Sequence, residues 1–213
     1  MVEVLYEDNH LIGVWKPGGV LVQGDDTGDA CLMDEVKQYL KEKYQKPGNV
    51  FLGLLHRLDR PVSGIVLFAK TSKGASRLSE QIRNHTVKKV YHALVSGKLE
   101  KNGRLVHYIL KDEKKNKVTV YDTPHGDALR AELEYTVLDT DGKRSLVEVH
   151  LITGRPHQIR AQFSHIGHPL VGDAKYGSKE KYKNENIALS AVELGFETAT
   201  TKEWKVIQKE IPL

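Results

Sequence analysis

"HRLDRPVSGIVLFAK", residues 56–70, places one carboxylate, Asp59, between two arginines, Arg57 and Arg60, directly before a proline. Pro61 fixes its own φ and biases Arg60 toward an extended conformation, so the acid sits on a stiffened turn. Ser63-Gly64 then leads into Ile65–Ala69, a run apolar enough for an interior strand. A side chain on a rigid loop at the edge of a core can be aimed for chemistry, whereas a surface ion pair is the plainer use of the same residues. A carboxylate in such a position stays ionised only beside a cation, because desolvation raises its pKa and a guanidinium lowers it.

Outward from this stretch, short β-type runs dominate. They cover residues 2–5, 11–15, 65–69, 90–96, 133–138, 145–152, 187–194 and 204–207. Several alternate polar and apolar residues, as "SLVEVHL" does, which marks a strand with one wet face. Three helices interrupt them. In "CLMDEVKQYLKEKY", Leu32, Val36, Tyr39 and Leu40 form one stripe. In "TSKGASRLSEQIRNH", Thr71 or Ser72 caps the first turn and Ala75, Leu78 and Ile82 face inward. The third opens at "RPHQIRAQFSHIG", with Pro156 suited to a first helical position and Ile159 and Phe163 as an i, i+4 apolar pair. Strands mixed with segregated helices, lacking regular alternation, predict an α+β fold.

The chain of 213 residues suffices for one full core, and a single domain over 1–213 is expected. Its composition, 39% hydrophobic and 28% charged, is that of an ordinary globular protein. The lone Cys31 excludes an internal disulfide framework and fits a reducing compartment. The first residues do not form a signal peptide, and no apolar run approaches the roughly 20 residues that span a bilayer. A cytoplasmic location without a membrane partner follows as the expectation.

Metal and nucleotide motifs find little support. Asp25, Asp26 and Asp29 lack the spacing and terminal Glu of a calcium loop. His157, His165 and His168 with Asp173 match no common zinc pattern. Phosphate-loop, dinucleotide and G-x-S-x-G signatures do not occur.

The net charge of +4 proves no anionic partner, but the distribution is uneven. From Arg83 to Lys117 the basic residues, Lys88 and Lys89 among them, far outnumber Glu100, Asp112 and Glu113. The block is either a solvated hairpin or a nucleic-acid surface. Tyr91 and His92 within it suit stacking on bases while lysines meet phosphates. A second basic cluster is "TGRPHQIR", with Arg155 in the leading segment and Arg160 on the helix, projecting away from the Ile159/Phe163 stripe. Spacing alone leaves open whether Arg160 meets Asp59. Glycosidases usually need two carboxylates, and no second acid accompanies Asp59, which can still act as a nucleophile or stabilise a developing sugar cation.

Four stretches together resemble the RluA-type pseudouridine synthase family, in order: "VLYEDNHLIGVWKPGGVLV", "HRLDRPVSGIVLFAK", "KKVYHALVSG" and "LITGRPHQIRAQFSHIGHPLVGDAKYG". The resemblance runs from about Val4 to Gly177. It implies the family's catalytic fold, a mixed, mainly antiparallel sheet with flanking helices and a central RNA-binding cleft. It assigns Asp59 as the catalytic aspartate and Tyr91 as the tyrosine packed on the target base, a candidate for removing the carbon-5 proton. Arg160 becomes the arginine paired with the catalytic carboxylate, Arg57 the side chain that fills the stack when a uridine flips out, and Ile159 part of the uracil pocket. Lys16 and Pro17 match an early turn that is structural or phosphate-facing. With the local basic residues Arg60, Lys88, Lys89, Arg155 and His157, these make the expected RNA-binding set. The implied partner is ribosomal or transfer RNA, with no cofactor and no metal, bound by a monomer without a separate N-terminal RNA-binding domain.

Two departures stand out. Val62 replaces the family's threonine, and "LSAVELGF" (189–196) lacks the histidine and His-Pro pair often found there. Two competing readings remain, a catalytically idle RNA-binding or RNA-folding module and a base-releasing glycosidase. The intact Asp59, Tyr91 and Arg160 argue against the first, and the missing water-activating acid against the second.

Overall fold

The computed structural model describes residues 2–25, 28–99 and 102–211, apart from the Glu185 side chain. Asp26 of the acid-rich loop and Glu100 of the basic block lie outside the described residues. In chain order the strands are β1 (Glu3–Glu7), β2 (Leu11–Lys16), β3 (Gly53–Leu54), β4 (Ser63–Ala69), β5 (Lys88–Ser96), β6 (Asn102–Asp112), β7 (Lys117–Tyr121), β8 (Leu129–Thr140), β9 (Arg144–Leu151), β10 (Leu189–Glu197) and β11 (Trp204–Gln208). The helices are α1 (Leu32–Lys43), α2 (Ser72–Arg83) and α3 (Gln158–His165), and the fold is α+β as expected. Two compact units share the chain: Met1–Val87 with Val192–Glu210, and Lys88–Ala191 with Ile211–Leu213.

In the first unit, β2 pairs antiparallel with β1 on one side and β4 on the other, β3 adds to β4, and β10 pairs with β11. The β1–β2 connection closes because Asp8 Oδ1 accepts the His10 and Leu11 backbone N–H groups, each at 2.7 Å. Leu11, Ile65, Leu67, Leu78, Phe196 and Ile207 pack as a core, each large side chain contributing about 1.5–3 kcal/mol by burial. Helix α2 is capped by Thr71, whose hydroxyl accepts from the Gly74 N–H. Gly74 lets the helix lie directly on the strand connection, since a Cβ there would come within 2.5 Å of the His10 carbonyl oxygen. Helix α1 buries Leu32, Val36 and Leu40, with Asp34 and Glu35 in its first turn and Lys41 and Lys43 in its last, as the helix dipole favours.

The second unit carries an antiparallel sheet in the order β5-β9-β8-β6-β7. Ile109, Val118, Ala131, Ala161 and Tyr176 pack between that sheet and α3. Helix α3 is buried on all sides from Gln158 to Phe163, so Arg160, on the side away from the Ile159/Phe163 stripe, is buried as well. The helix also starts later than expected. His157 is left-handed, at φ 50°, which makes it the cap and leaves Pro156 outside the helix. Strands β6 and β7, for which no strand run was read from the sequence, form a hairpin that begins in the basic block, one of the two readings of that block. No helix among the described residues is long and apolar enough to cross a membrane.

Candidate active site

The turn bearing Asp59 is clamped from behind. Its own carbonyl accepts the Val62 N–H at 3.0 Å, closing the Arg60-Pro61 turn. The Arg60 carbonyl accepts the Gly19 N–H at 2.8 Å and the Lys16 ammonium at 3.0 Å. Lys16 Nζ also donates to the carbonyls of Pro17 (3.0 Å) and Val20 (2.7 Å). Gly19, at φ 86°, supplies the left-handed residue that folds this "KPGG" turn against the Asp59 turn. Val62, where the family pattern has threonine, is 2% exposed, so an apolar side chain meets the core there.

Lys16 therefore departs from the RNA-facing set. It is completely buried, and its three donors go to three carbonyls, so its role is to tie two turns together. Burial pushes its pKa down to about 8, and the positive charge of Arg60 works in the same direction, while the negative charge of Asp59 opposes both. Arg60 is likewise tied into the turn. Its Nε donates to the Gly19 carbonyl at 3.0 Å and its Nη2 pairs with Asp29 at 2.8 Å. Arg57 differs from both, because it is exposed and, among the described residues, held by no hydrogen bond or ion pair. His56 accepts the Leu67 N–H on Nε2 at 3.0 Å, which anchors the start of the loop to β4.

In the second unit, Tyr91 lies on β5 opposite Val149 of β9 and is 8% exposed. His92, the next residue, points to the other face, where its Nε2 is 3.7 Å from Glu148. Tyr91 and His92 thus do not form the joint stacking surface that the basic block suggested. Part of that block is paired with acids, as in Lys111–Glu113, Lys115–Asp112 and the contact of Arg104 with Glu132. Lys88 is exposed, whereas Lys89, two residues before Tyr91, is half-buried.

Arg160 is 5% exposed and held by a buried acid that the sequence reading did not single out as its partner. Its Nε and Nη2 donate to Asp173 Oδ2 and Oδ1 at 2.7 and 2.9 Å, a side-on fork that fixes the guanidinium plane. The guanidinium also lies 5.1 Å from the centre of the Tyr176 ring. A guanidinium has five N–H donors and this fork uses two. Tyr176 is fixed in turn, since its hydroxyl accepts the Val118 N–H at 3.0 Å and meets His157 Nδ1 at 2.8 Å. His157 therefore supports "GDAKYG" (172–177) from inside the unit. Ile159, on α3, is 4% exposed. Arg155 is half-buried and donates through Nε to the Arg130 carbonyl at 3.1 Å.

His107, Asp122 and His165 bring one potential metal-ligand atom each within 4.8 Å of one another. Gln162 Nε2 lies 3.0 Å from His107 Nδ1, and His107 Nε2 lies 3.7 Å from Asp122. Burial first, then the neighbouring His165, lowers the His107 pKa and favours the neutral ring. Asp122 also bonds His165 Nε2 at 2.8 Å.

The fold is that of RNA pseudouridylate synthase domains. Human RNA pseudouridylate synthase domain containing 4 superposes with a TM-score of 0.81 at 23% identity, covering 99% of this chain and 88% of that one. Human RNA pseudouridylate synthase domain containing 1 gives 0.78 at 22% identity, covering 100% of this chain and 84% of that one. At the level of sequence, the model of the family described as RNA pseudouridylate synthase matches residues 10–165, and the chain belongs to that family. Ribosomal large subunit pseudouridine synthase C of Vibrio parahaemolyticus is 32% identical, over 96% of this chain and 64% of that protein. tRNA pseudouridine synthase C of Vibrio cholerae is 33% identical, over 98% of this chain and 90% of that protein. The chain thus spans just under two thirds of the first relative and most of the second.

Proposed function

We propose that this chain isomerises particular uridines of ribosomal or transfer RNA to pseudouridine, with Asp59 as the catalytic group. The observation that carries this reading is the clamped turn, which sets a single carboxylate on a rigid support held by a buried cation. The bond between ribose carbon 1 and uracil nitrogen 1 breaks, the base rotates, and carbon 5 joins the ribose. The carbon-5 proton leaves and nitrogen 1 gains one, so the product is an isomer of the substrate. No water enters, so one carboxylate suffices where hydrolysis would need a second. In this mechanism Asp59 attacks the ribose or promotes loss of its proton. Tyr91 packs on the uracil and takes the carbon-5 proton, and Ile159 lines the apolar part of the pocket. Arg160, its plane set by Asp173, pairs with Asp59, as the resemblance implies. The exposed Arg57 enters the space left when the base flips, offsetting an unstacking cost of about a few kcal/mol. RNA as substrate fits the names of both relatives, which act on ribosomal and transfer RNA respectively. We take the active form to be a monomer in the cytoplasm.

Nucleoside analysis of unmodified ribosomal and transfer RNA after incubation with the chain tests this reading. Pseudouridine in the polymer is the expected product. Free uracil would make the chain a glycosidase, and bound but unchanged RNA would make it an idle binding module.

A further inference from the structure

Lys89 is a half-buried cation for which the described residues provide no hydrogen bond and no ion pair. Burial alone pushes its pKa down, with no carboxylate acting in the other direction. Burying an ammonium costs free energy unless a partner compensates, so an unpaired one invites an anion from outside.

Its surroundings indicate which anion. Lys89 and Tyr91 are two residues apart on β5, hence on the same face of the strand and about 7 Å apart along it, the scale of one nucleotide. The Lys89 ammonium lies 3.5 Å from where a Cβ on Gly154 would stand. Gly154 is exposed, is not in the left-handed region, and would meet only that flexible lysine tip if it had a side chain. The fold therefore does not need glycine at 154, but a ligand approaching the backbone beside the ammonium would.

We propose that Lys89 and the bare backbone of Gly154 form a seat for one RNA phosphate, that of the nucleotide whose base packs on Tyr91. The proposal rests on the RNA-modifying reading above and adds to it where the target nucleotide is gripped. Lys88, its neighbour, is exposed and points to the other face, so the two adjacent lysines are not equivalent.

The test is equilibrium binding of bulk transfer RNA to the full chain across a salt series, for wild type, Lys89→Met, Lys89→Arg and Gly154→Ala. Losing one phosphate contact should reduce the slope of log K against log salt by about 0.7–0.9 in Lys89→Met. Lys89→Arg should keep the slope and hold its affinity to higher pH than wild type, because its charge persists. Gly154→Ala should weaken binding by crowding the seat. The melting temperature of Lys89→Met should stay at or above that of wild type, since an unpaired charge has been removed. A wild-type slope and affinity in Lys89→Met would overturn the proposal, as would a drop in its melting temperature with binding unchanged. Binding is read without turnover, so the two readings fail separately. A Lys89-dependent slope without pseudouridine would refute the isomerase and leave the seat, whereas normal turnover with an unchanged slope would refute the seat alone.

Discussion

Lys16 and Arg160 are both buried cations, one in each unit, and they are held in different ways. The Lys16 ammonium meets three backbone carbonyls and has no donor left for a ligand. One edge of the Arg160 guanidinium is forked by the Asp173 carboxylate. A point charge with three rotatable donors suits the first task, tying loops together. A planar fork suits the second, because fixing one edge orients the others. The residue type in the sequence thus already distinguishes a clamp from a presenter, once the burial of each is known.

The comparison breaks if the two anchors respond alike to losing their partners. Asp173→Ala should have the larger effect, since it removes the buried carboxylate that forks Arg160, at about 3–5 kcal/mol. For a chain of this size that lowers the melting temperature by about 2–4 °C per kcal/mol. Turnover should fall with it as the guanidinium loses its orientation. A variant that melts and reacts like wild type would remove the presenter from the account. Lys16→Met should cost less, about 2–3 kcal/mol, because removing the cation also removes its desolvation while leaving carbonyls unbonded. Its kcat should drop more than its RNA affinity, as the Asp59 turn loosens. Equal losses in both would point to general unfolding rather than a local clamp.

Glu7 sharpens the contrast as an anchor remote from the chemistry. Burial raises its pKa, but hydrogen bonds from Lys43, Lys70 and Tyr44 outweigh that and hold it at about 2, against an ordinary 4.5. A depressed carboxyl contributes stability that is present above pH 4.5 and lost as the pH falls toward 2. The stability difference between wild type and Glu7→Gln should therefore shrink over that window, with turnover at neutral pH unaffected. The effect should be the smallest of the three, because Lys43 and Tyr44 are open to solvent that screens them. A difference that stays constant with pH would contradict the assignment.

Most strands and all three helices were legible because their burial follows a period of two or a helical stripe. Strand β6 was not. Its inward face includes His107 while Val106 and Leu110 face out, so polarity and burial no longer coincide. The basic block concealed it further, since lysines paired within a hairpin look the same in sequence as lysines awaiting a phosphate. Burial also separated Lys16 from the other basic candidates, for a lysine with three carbonyl partners carries no local mark of them. Asp173 was considered only in a loose metal spacing, because a partner 13 residues from Arg160 follows from the fold and not from helical spacing. The turn at Asp59 was readable because proline and glycine fix backbone geometry locally.

Tritium release from RNA labelled at uridine carbon 5, with wild type and Asp59→Ala side by side, tests the central claim most directly. Release by wild type and none by the variant, whose RNA affinity stays within about tenfold, is the expected result. Release by Asp59→Ala at a rate near that of wild type would contradict the account.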